Sequence, residues 1–116
     1  MVSSLDPAVV LARVAQDERL WIEELRDRLS GQLGDRLRDL RLFGSKARGD
    51  GGSESDIDLL VLVEGLDTGT HEAILDLAMS ISPWLAPHVF DFDRYHEPVS
   101  RASGFYKELR RESVRL

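Results

Sequence analysis

The sequence of 116 residues contains no cysteine, which excludes a disulfide framework, a thiolate zinc site and a thiol nucleophile. Any metal must therefore be held by oxygen or imidazole ligands. No apolar run approaches the roughly 18 residues that cross a bilayer, and the first residues lack the basic and apolar segments of a secretion signal. We therefore expect a cytoplasmic protein without a membrane partner.

Positive charge is also scarce, because 15 basic residues stand against 21 acidic ones and leave a net charge of -6. This balance disfavours a nucleic-acid substrate, which a chain of like charge repels unless its basic residues cluster on one face. A magnesium-complexed nucleotide remains compatible with it. The ion cancels the negative charge of both carboxylates and phosphates where they meet.

The composition that remains is that of a globular protein, with 42% hydrophobic and 31% charged residues. The length suits one domain with one core. We predict a single domain over residues 1–116, with an N-terminal helical segment at about 6–30 and a core at about 37–116. Asp6 followed by Pro7 marks the start of the first helix, and the sequence leaves open whether that segment breaks near Gln16.

Hydrophobic periodicity predicts the order helix, strand, loop, strand, helix, strand, helix. The expected strands are 38–43, 56–63 and 89–92, with 114–116 as a candidate fourth, and the later helices are about 70–82 and 103–112. Phe105 and Leu109 should face inward from the last helix, and Tyr106 is a further candidate for that face. This order predicts an α/β (α+β) fold in which helices back a small mixed sheet.

Two acids, Asp56 and Asp58, stand at the start of the apolar second strand. Residues two apart on a strand project from one face, here with Cα atoms roughly 6.5 Å apart. Such a pair can clamp two Mg²⁺ ions about 4 Å apart for displacement at phosphorus. An isolated Asp-x-Asp at a strand end more often simply faces water, so a second feature is needed.

That second feature is Gly44-Ser45, which directly follows the first predicted strand. The glycine lets the backbone approach a phosphate, and the serine offers a hydroxyl and an amide. Arg48 can contact phosphate or an acid of the next strand, and Lys46 is a weaker candidate for the same contact. A loop with solvated basic residues is the alternative when this pattern stands alone.

Together the residues resemble a known signature. Gly44-Ser45-Lys46-Ala47-Arg48-Gly49, followed by Ser55-Asp56-Ile57-Asp58-Leu59, is similar to the motif of the minimal nucleotidyltransferases of the polymerase-beta-like superfamily. The resemblance implies catalytic and metal-binding roles for Asp56 and Asp58, with Gly44, Ser45 and Arg48 binding the nucleotide.

The activity that this resemblance implies is Mg²⁺-dependent transfer of a nucleoside monophosphate, AMP from ATP, to a hydroxyl, with two metal ions. Many stand-alone relatives resemble the antitoxin of a toxin–antitoxin pair whose other half is a helical HEPN-domain protein, adenylylated on tyrosine. The resemblance therefore implies a HEPN-type protein partner. The domain lacks room for a second lobe over the nucleotide, so we expect a partner or a second copy to complete the site in a homo- or hetero-oligomer.

The chain departs from this family at the third carboxylate, which active members carry on a later strand. His88 occupies that position in one alignment, and Asp91 takes it after a shift of register. If neither side chain serves, the alternative function is a catalytically weak or inactive antitoxin that binds nucleotide and covers its partner.

No cluster suited to stacking a nucleobase surrounds Trp21 or Trp84.

Overall fold

The computed structural model describes residues 6–52 and 55–116, so residues 1–5 and 53–54 of the predicted domain lie outside the described part. Its strands are β1 (Leu37–Phe43), β2 (Ile57–Val63), β3 (Leu85–Asp91) and β4 (Val114–Arg115). They form one sheet in the order β3-β2-β1-β4. β1 pairs antiparallel with β2 and β4, whereas β2 and β3 run parallel. The predicted mixed sheet is confirmed.

β2 is an inner strand because its sequence is apolar on both faces. Every residue from Ile57 to Val63 is buried except Asp58, as expected for a strand covered above and below. Leu59 and Val61 belong to a core cluster on the first face of the sheet, and Leu60 and Leu62 to a cluster on the second face. Asp58 shares the second face with Leu60 and Leu62, since strand residues alternate.

Helices cover both faces. The helices are α1 (Pro7–Arg13), α2 (Gln16–Leu33), α3 (Ser45–Arg48), α4 (Thr68–Ile81), α5 (Phe92–Tyr95), α6 (Pro98–Arg101) and α7 (Gly104–Glu112). α1, α2 and α4 bury their apolar stripes in the cluster on the first face. α5 and α7 contribute Tyr95, Tyr106 and Leu109 to the cluster on the second face. No helix of the described residues is long and apolar enough to cross a bilayer.

The N-terminal helical segment is two helices. Val14 and Ala15 adopt extended backbone angles between α1 and α2. The Glu18 carboxylate then accepts a hydrogen bond from the Ala15 N–H at 3.3 Å, which satisfies one of the unpaired donors at the start of α2. The break lies at the place that the sequence left undecided.

The third strand differs from its prediction. β3 begins at Leu85 rather than at Val89, and Pro87 lies inside it. Proline is tolerated there because β3 is an edge strand, where alternate N–H groups have no partner strand. Phe92 is helical, because the Asp91 side chain accepts from the Arg94 N–H and caps α5.

The last helix buries two of the three residues that were candidates for its inward face. Tyr106 and Leu109 are buried, whereas Phe105 is 38% exposed. The buried pair is three residues apart and so forms one stripe on α7, while Phe105 lies at the border of that stripe. The prediction for Leu109 is confirmed, and that for Phe105 is wrong.

Candidate nucleotide site

The bend after β1 lies against Asp58. Antiparallel pairing places Phe43 opposite Asp58, and Gly44 then turns the chain into α3 with a φ of 76°. A Cβ atom on Gly44 would lie 2.5 Å from Asp58 Oδ2. Glycine is therefore required twice, for its positive φ and for the absence of a side chain. The two features that the sequence singled out, the Gly-Ser bend and the acidic strand end, are in contact.

The two aspartates occupy different environments at this end of the sheet. Asp58 lies within β2 and is half-buried, with 29% of its side chain exposed. Asp56 precedes the strand and is exposed. Strand alternation fixes the face of Asp58, whereas Asp56 lies outside β2, and a metal ion shared by the two carboxylates stays a prediction. One anchored and one solvent-facing carboxylate can share a cation that also contacts a ligand from solvent.

Among the described residues, His88 is the side chain that meets Asp58 from β3. The His88 Nε2 atom lies 3.5 Å from Asp58 Oδ1. The parallel register pairs Asp58 with Ala86, and Leu60 with His88, so Asp58 and His88 project from the same face. An imidazole therefore stands where the resemblance calls for a third carboxylate.

Asp91, the other candidate for the third position, lies at the opposite end of the sheet. It pairs with Val63, five residues along β2 from Asp58 and therefore about 16 Å away at 3.3 Å per residue. Its carboxylate accepts hydrogen bonds from the backbone N–H groups of Leu66 and Arg94. These bonds lower the pKa of Asp91 below its ordinary value. Asp91 ends a strand and begins a helix there.

Within residues 6–52 and 55–116, no group of three or more histidine, aspartate or glutamate side chains is arranged to hold a metal ion. The carboxylate oxygen in contact with the bend is that of Asp58, and Asp56 lies two residues before it in the chain. Both carboxylates fit a hard cation such as Mg²⁺, which prefers oxygen and completes its shell with water and phosphate. The donor set suits an ion that arrives with its nucleotide.

Two serine hydroxyls flank the glycine-rich loop beside α3. A Cβ atom on Gly51 would lie 2.8 Å from Ser45 Oγ and 2.9 Å from Ser55 Oγ. Ser55 also donates to the Gly52 carbonyl at 2.9 Å. Ser45 was singled out from the sequence; Ser55 was not, although it lies within the quoted motif.

Arg48 is paired with two acids near the surface. Its guanidinium contacts Asp50 at 3.2 Å and Glu112 of α7 at 3.0 Å. The hydrogen bonds to Glu112 and Asp50 raise the pKa of Arg48. Both partners lie outside β2, so the predicted contact between Arg48 and an acid of that strand is absent among the described residues. Its contact with phosphate stays a prediction.

Lys46 is enclosed between α3 and α2. Its Nζ atom lies 2.7 Å from Glu18 Oε2 and donates to the Gly52 carbonyl at 2.7 Å, and both charged side chains are buried. Lys46 therefore joins the N-terminal helices to the glycine-rich loop. The weaker prediction, a phosphate contact from Lys46, is wrong because its ammonium group is occupied inside the protein.

A comparison with known protein families identifies the family of this chain. Residues 22–95 match the family described as "Nucleotidyltransferase domain". The match spans more than half of the chain, and the protein therefore belongs to the nucleotidyltransferase domain family.

The chain is also similar to a protein of Methanocaldococcus jannaschii named "Putative protein adenylyltransferase", with 47% identity over 47 residues. The matched region covers 40% of this chain and 48% of that relative, so it spans about half the length of the curated protein. A crystal structure described as "a putative nucleotidyltransferase from Sulfolobus solfataricus" superposes with a TM-score of 0.51 at 19% identity. That superposition covers 99% of this chain and 87% of the other, and it supports the fold.

Proposed function

We propose that this chain binds a nucleoside triphosphate, ATP, together with Mg²⁺, and transfers AMP to a hydroxyl group of a protein partner. The observation that carries the proposal is the contact between Gly44 and Asp58, where a Cβ atom would lie 2.5 Å from the carboxylate oxygen. A phosphate lying on the Gly44-Ser45 bend would be within reach of an ion held by the acids. Membership in the nucleotidyltransferase family supports the same reading.

Asp56 and Asp58 would hold the metal, and Gly44 and Ser45 would hold the phosphates. Bound Mg²⁺ would neutralise the charge that develops on the leaving pyrophosphate. The acceptor oxygen forms a bond to the α-phosphorus, the bond from that phosphorus to the pyrophosphate oxygen breaks, and the hydroxyl proton leaves to solvent or a nearby base. Arg48 lies one helical turn from the bend and would add positive charge near the phosphates.

A protein acceptor is supported by the similarity to a relative whose name includes protein adenylyltransferase. The open site agrees with it, because Asp56 is exposed and His88 keeps 41% of its side chain accessible. A partner surface would therefore complete the site. We propose a HEPN-type toxin as that partner, with this chain as the antitoxin.

Incubation with ATP labelled on the α-phosphate, Mg²⁺ and the protein encoded beside this chain tests the proposal. We expect label on the partner with the wild-type chain and none with Asp56→Asn/Asp58→Asn. The variant keeps the shape of both side chains and removes their charge, so a loss of label reports on the site rather than on folding. Equal labelling by both proteins would contradict the assigned acids.

A second function is favoured by one observation, the imidazole of His88 at 3.5 Å from Asp58. Mg²⁺ prefers carboxylate oxygen to imidazole nitrogen, so this replacement harms chemistry more than nucleotide binding. The alternative is an antitoxin that binds nucleotide and acts by covering its partner. In that case the wild-type chain forms a stable complex without label, and His88→Asp increases label transfer.

A further inference from the structure

Ring side chains follow one another away from Asp58 on the second face of the sheet. Phe43, the strand partner of Asp58, has its ring centroid 5.1 Å from that of His88 and 5.8 Å from that of Phe105. The ring of Phe105 lies 6.0 Å from that of Phe90. This aromatic row, Phe43, His88, Phe105 and Phe90, begins beside Gly44 and leads away from the acids.

The far end of the row is open to solvent. Phe90 and Phe105 are each 38% exposed, and both line a groove of about 770 Å³ that also includes Val99 and Arg94. Large apolar side chains gain roughly 25 cal/mol for each Å² of surface that they bury. A ligand that covered both phenyl rings in this groove would gain this free energy of burial.

Most polar groups of the groove already have partners within the protein. Ser100 donates to the Arg94 carbonyl, Ser103 accepts from the Tyr106 N–H, and Asp91 accepts from two backbone N–H groups. These groups therefore have fewer free donors and acceptors with which to form hydrogen bonds to the edge of a ligand. The groove instead offers ring faces and an arginine, which suit a flat aromatic ligand.

We propose that Phe90 and Phe105 form the stacking site for the nucleobase of the bound triphosphate. The proposal rests on the function proposed above, with the phosphates at Gly44 and Ser45. Two ring-to-ring steps of 5.8 and 6.0 Å connect Phe43 to Phe90, a reach comparable to the length of a nucleotide. Because a purine buries more ring surface than a pyrimidine, the site favours a purine.

Calorimetric titrations with MgATP, MgCTP and magnesium tripolyphosphate test the site. The wild-type protein should bind MgATP most tightly and magnesium tripolyphosphate least tightly. Phe105→Leu and Phe90→Leu should each weaken MgATP binding about tenfold, as expected for the loss of one stacked ring. Neither change should alter the affinity for tripolyphosphate, which has no base.

Phe92→Leu is the matched control. Phe92 makes a cation–π contact with Arg38, at 4.5 Å from the ring centroid, and it lies outside the aromatic row. This variant should bind all three compounds like the wild type.

Equal wild-type affinities for MgATP and magnesium tripolyphosphate would overturn the stacking site and leave the phosphate site standing. Unchanged MgATP binding in both Phe105→Leu and Phe90→Leu would overturn it as well. If neither compound binds to the wild-type protein, the proposed function itself fails.

Discussion

Gly44 has no room for a side chain, because its backbone lies against the Asp58 carboxylate. Gly44→Ala should lower the free energy of unfolding and also disrupt the proposed metal site. An L-residue at the Gly44 backbone angles, φ 76° and ψ -156°, costs about 1–3 kcal/mol, and the new Cβ would also displace Asp58. We expect MgATP to raise the unfolding temperature of the wild type and not that of this variant.

Gly34→Ala is the control for this change. Gly34 also has a positive φ, of 55°, but a Cβ atom there would meet nothing within 4 Å. Gly34→Ala should therefore lose stability from backbone strain alone, and MgATP should still raise its unfolding temperature. A response to MgATP in Gly44→Ala equal to that in Gly34→Ala would contradict the close approach at Asp58.

The Asp91 carboxylate should make the stability of the folded protein depend on pH. Hydrogen bonds from the Leu66 and Arg94 N–H groups depress its pKa below the ordinary value of 3.8. Because the pKa of Asp91 is lower in the folded state than in the unfolded state, its carboxylate stabilises the fold at pH values above the unfolded-state pKa. This stabilisation is lost as the pH falls through the folded-state pKa. We expect Asp91→Asn to be less stable at pH 7 and to lose less stability than the wild type below about pH 5.

Urea unfolding at a series of pH values measures this difference. Asp93→Asn serves as the control, because Asp93 is exposed in the same helical turn and its carboxylate does not cap α5. It should follow the wild-type curve. Identical acid slopes for Asp91→Asn and the wild type would show that the two hydrogen bonds do not stabilise the carboxylate.

The sequence was sufficient to select Gly44, Ser45 and Asp58 as neighbours, because each follows or begins a strand with a clear apolar pattern. It could not choose between His88 and Asp91. Their positions depend on the register of β3 against β2, which arises from long-range pairing and not from local pattern. The aromatic row was missed for the same reason, since its members come from three separate elements.

At the scale of elements, the buried pair Glu18–Lys46 connects α2 to α3 and to the loop that follows. Removing one partner leaves an unpaired buried charge and costs about 3–5 kcal/mol, whereas replacing both with apolar residues of similar size is often neutral. Glu18→Leu/Lys46→Met should therefore lose only about 1 kcal/mol of stability, because Glu18 no longer accepts the hydrogen bond from the Ala15 N–H at the start of α2. It should nevertheless bind MgATP about tenfold more weakly, because the Gly52 carbonyl loses a charge-assisted hydrogen bond that holds the loop.

Thermal unfolding and MgATP titration of the double variant separate these two effects. The exposed pair Glu24–Arg28 on α2, with a contact of 2.9 Å, provides the control when both residues are changed to leucine. That control should leave MgATP affinity unchanged. Wild-type affinity in Glu18→Leu/Lys46→Met would show that the pair only packs the helices together.

Elements with strong periodicity were predictable, and short ones were not. The apolar run of β2 and the stripes of α2 and α4 follow directly from residue spacing. α5 and α6 have four residues each, too few to show a helical period. The start of β3 was missed because Pro87 indicates a boundary unless the strand lies at an edge of the sheet.

At the scale of the whole molecule, the sheet separates structural and functional roles. Its first face is covered by α1, α2 and α4 and holds the larger core cluster. Its second face carries Asp58 and His88 at one end, and the aromatic row runs from there along the face to the exposed rings of Phe105 and Phe90. This arrangement suits a site that a partner protein completes. The HEPN-type partner, the oligomeric state and the cytoplasmic location stay predictions, because they depend on surfaces and compartments outside this chain.

The central claim is that the acidic strand end and the Gly44-Ser45 bend bind one magnesium–nucleotide complex. The unfolding temperature of the wild type and of Asp56→Asn/Asp58→Asn, measured against MgATP concentration, tests it most directly. At ten times the dissociation constant, binding should stabilise the wild type by about 1.4 kcal/mol, a shift of several degrees for a domain of this size. The variant should not shift. A shift of the same size in both proteins would contradict the claim.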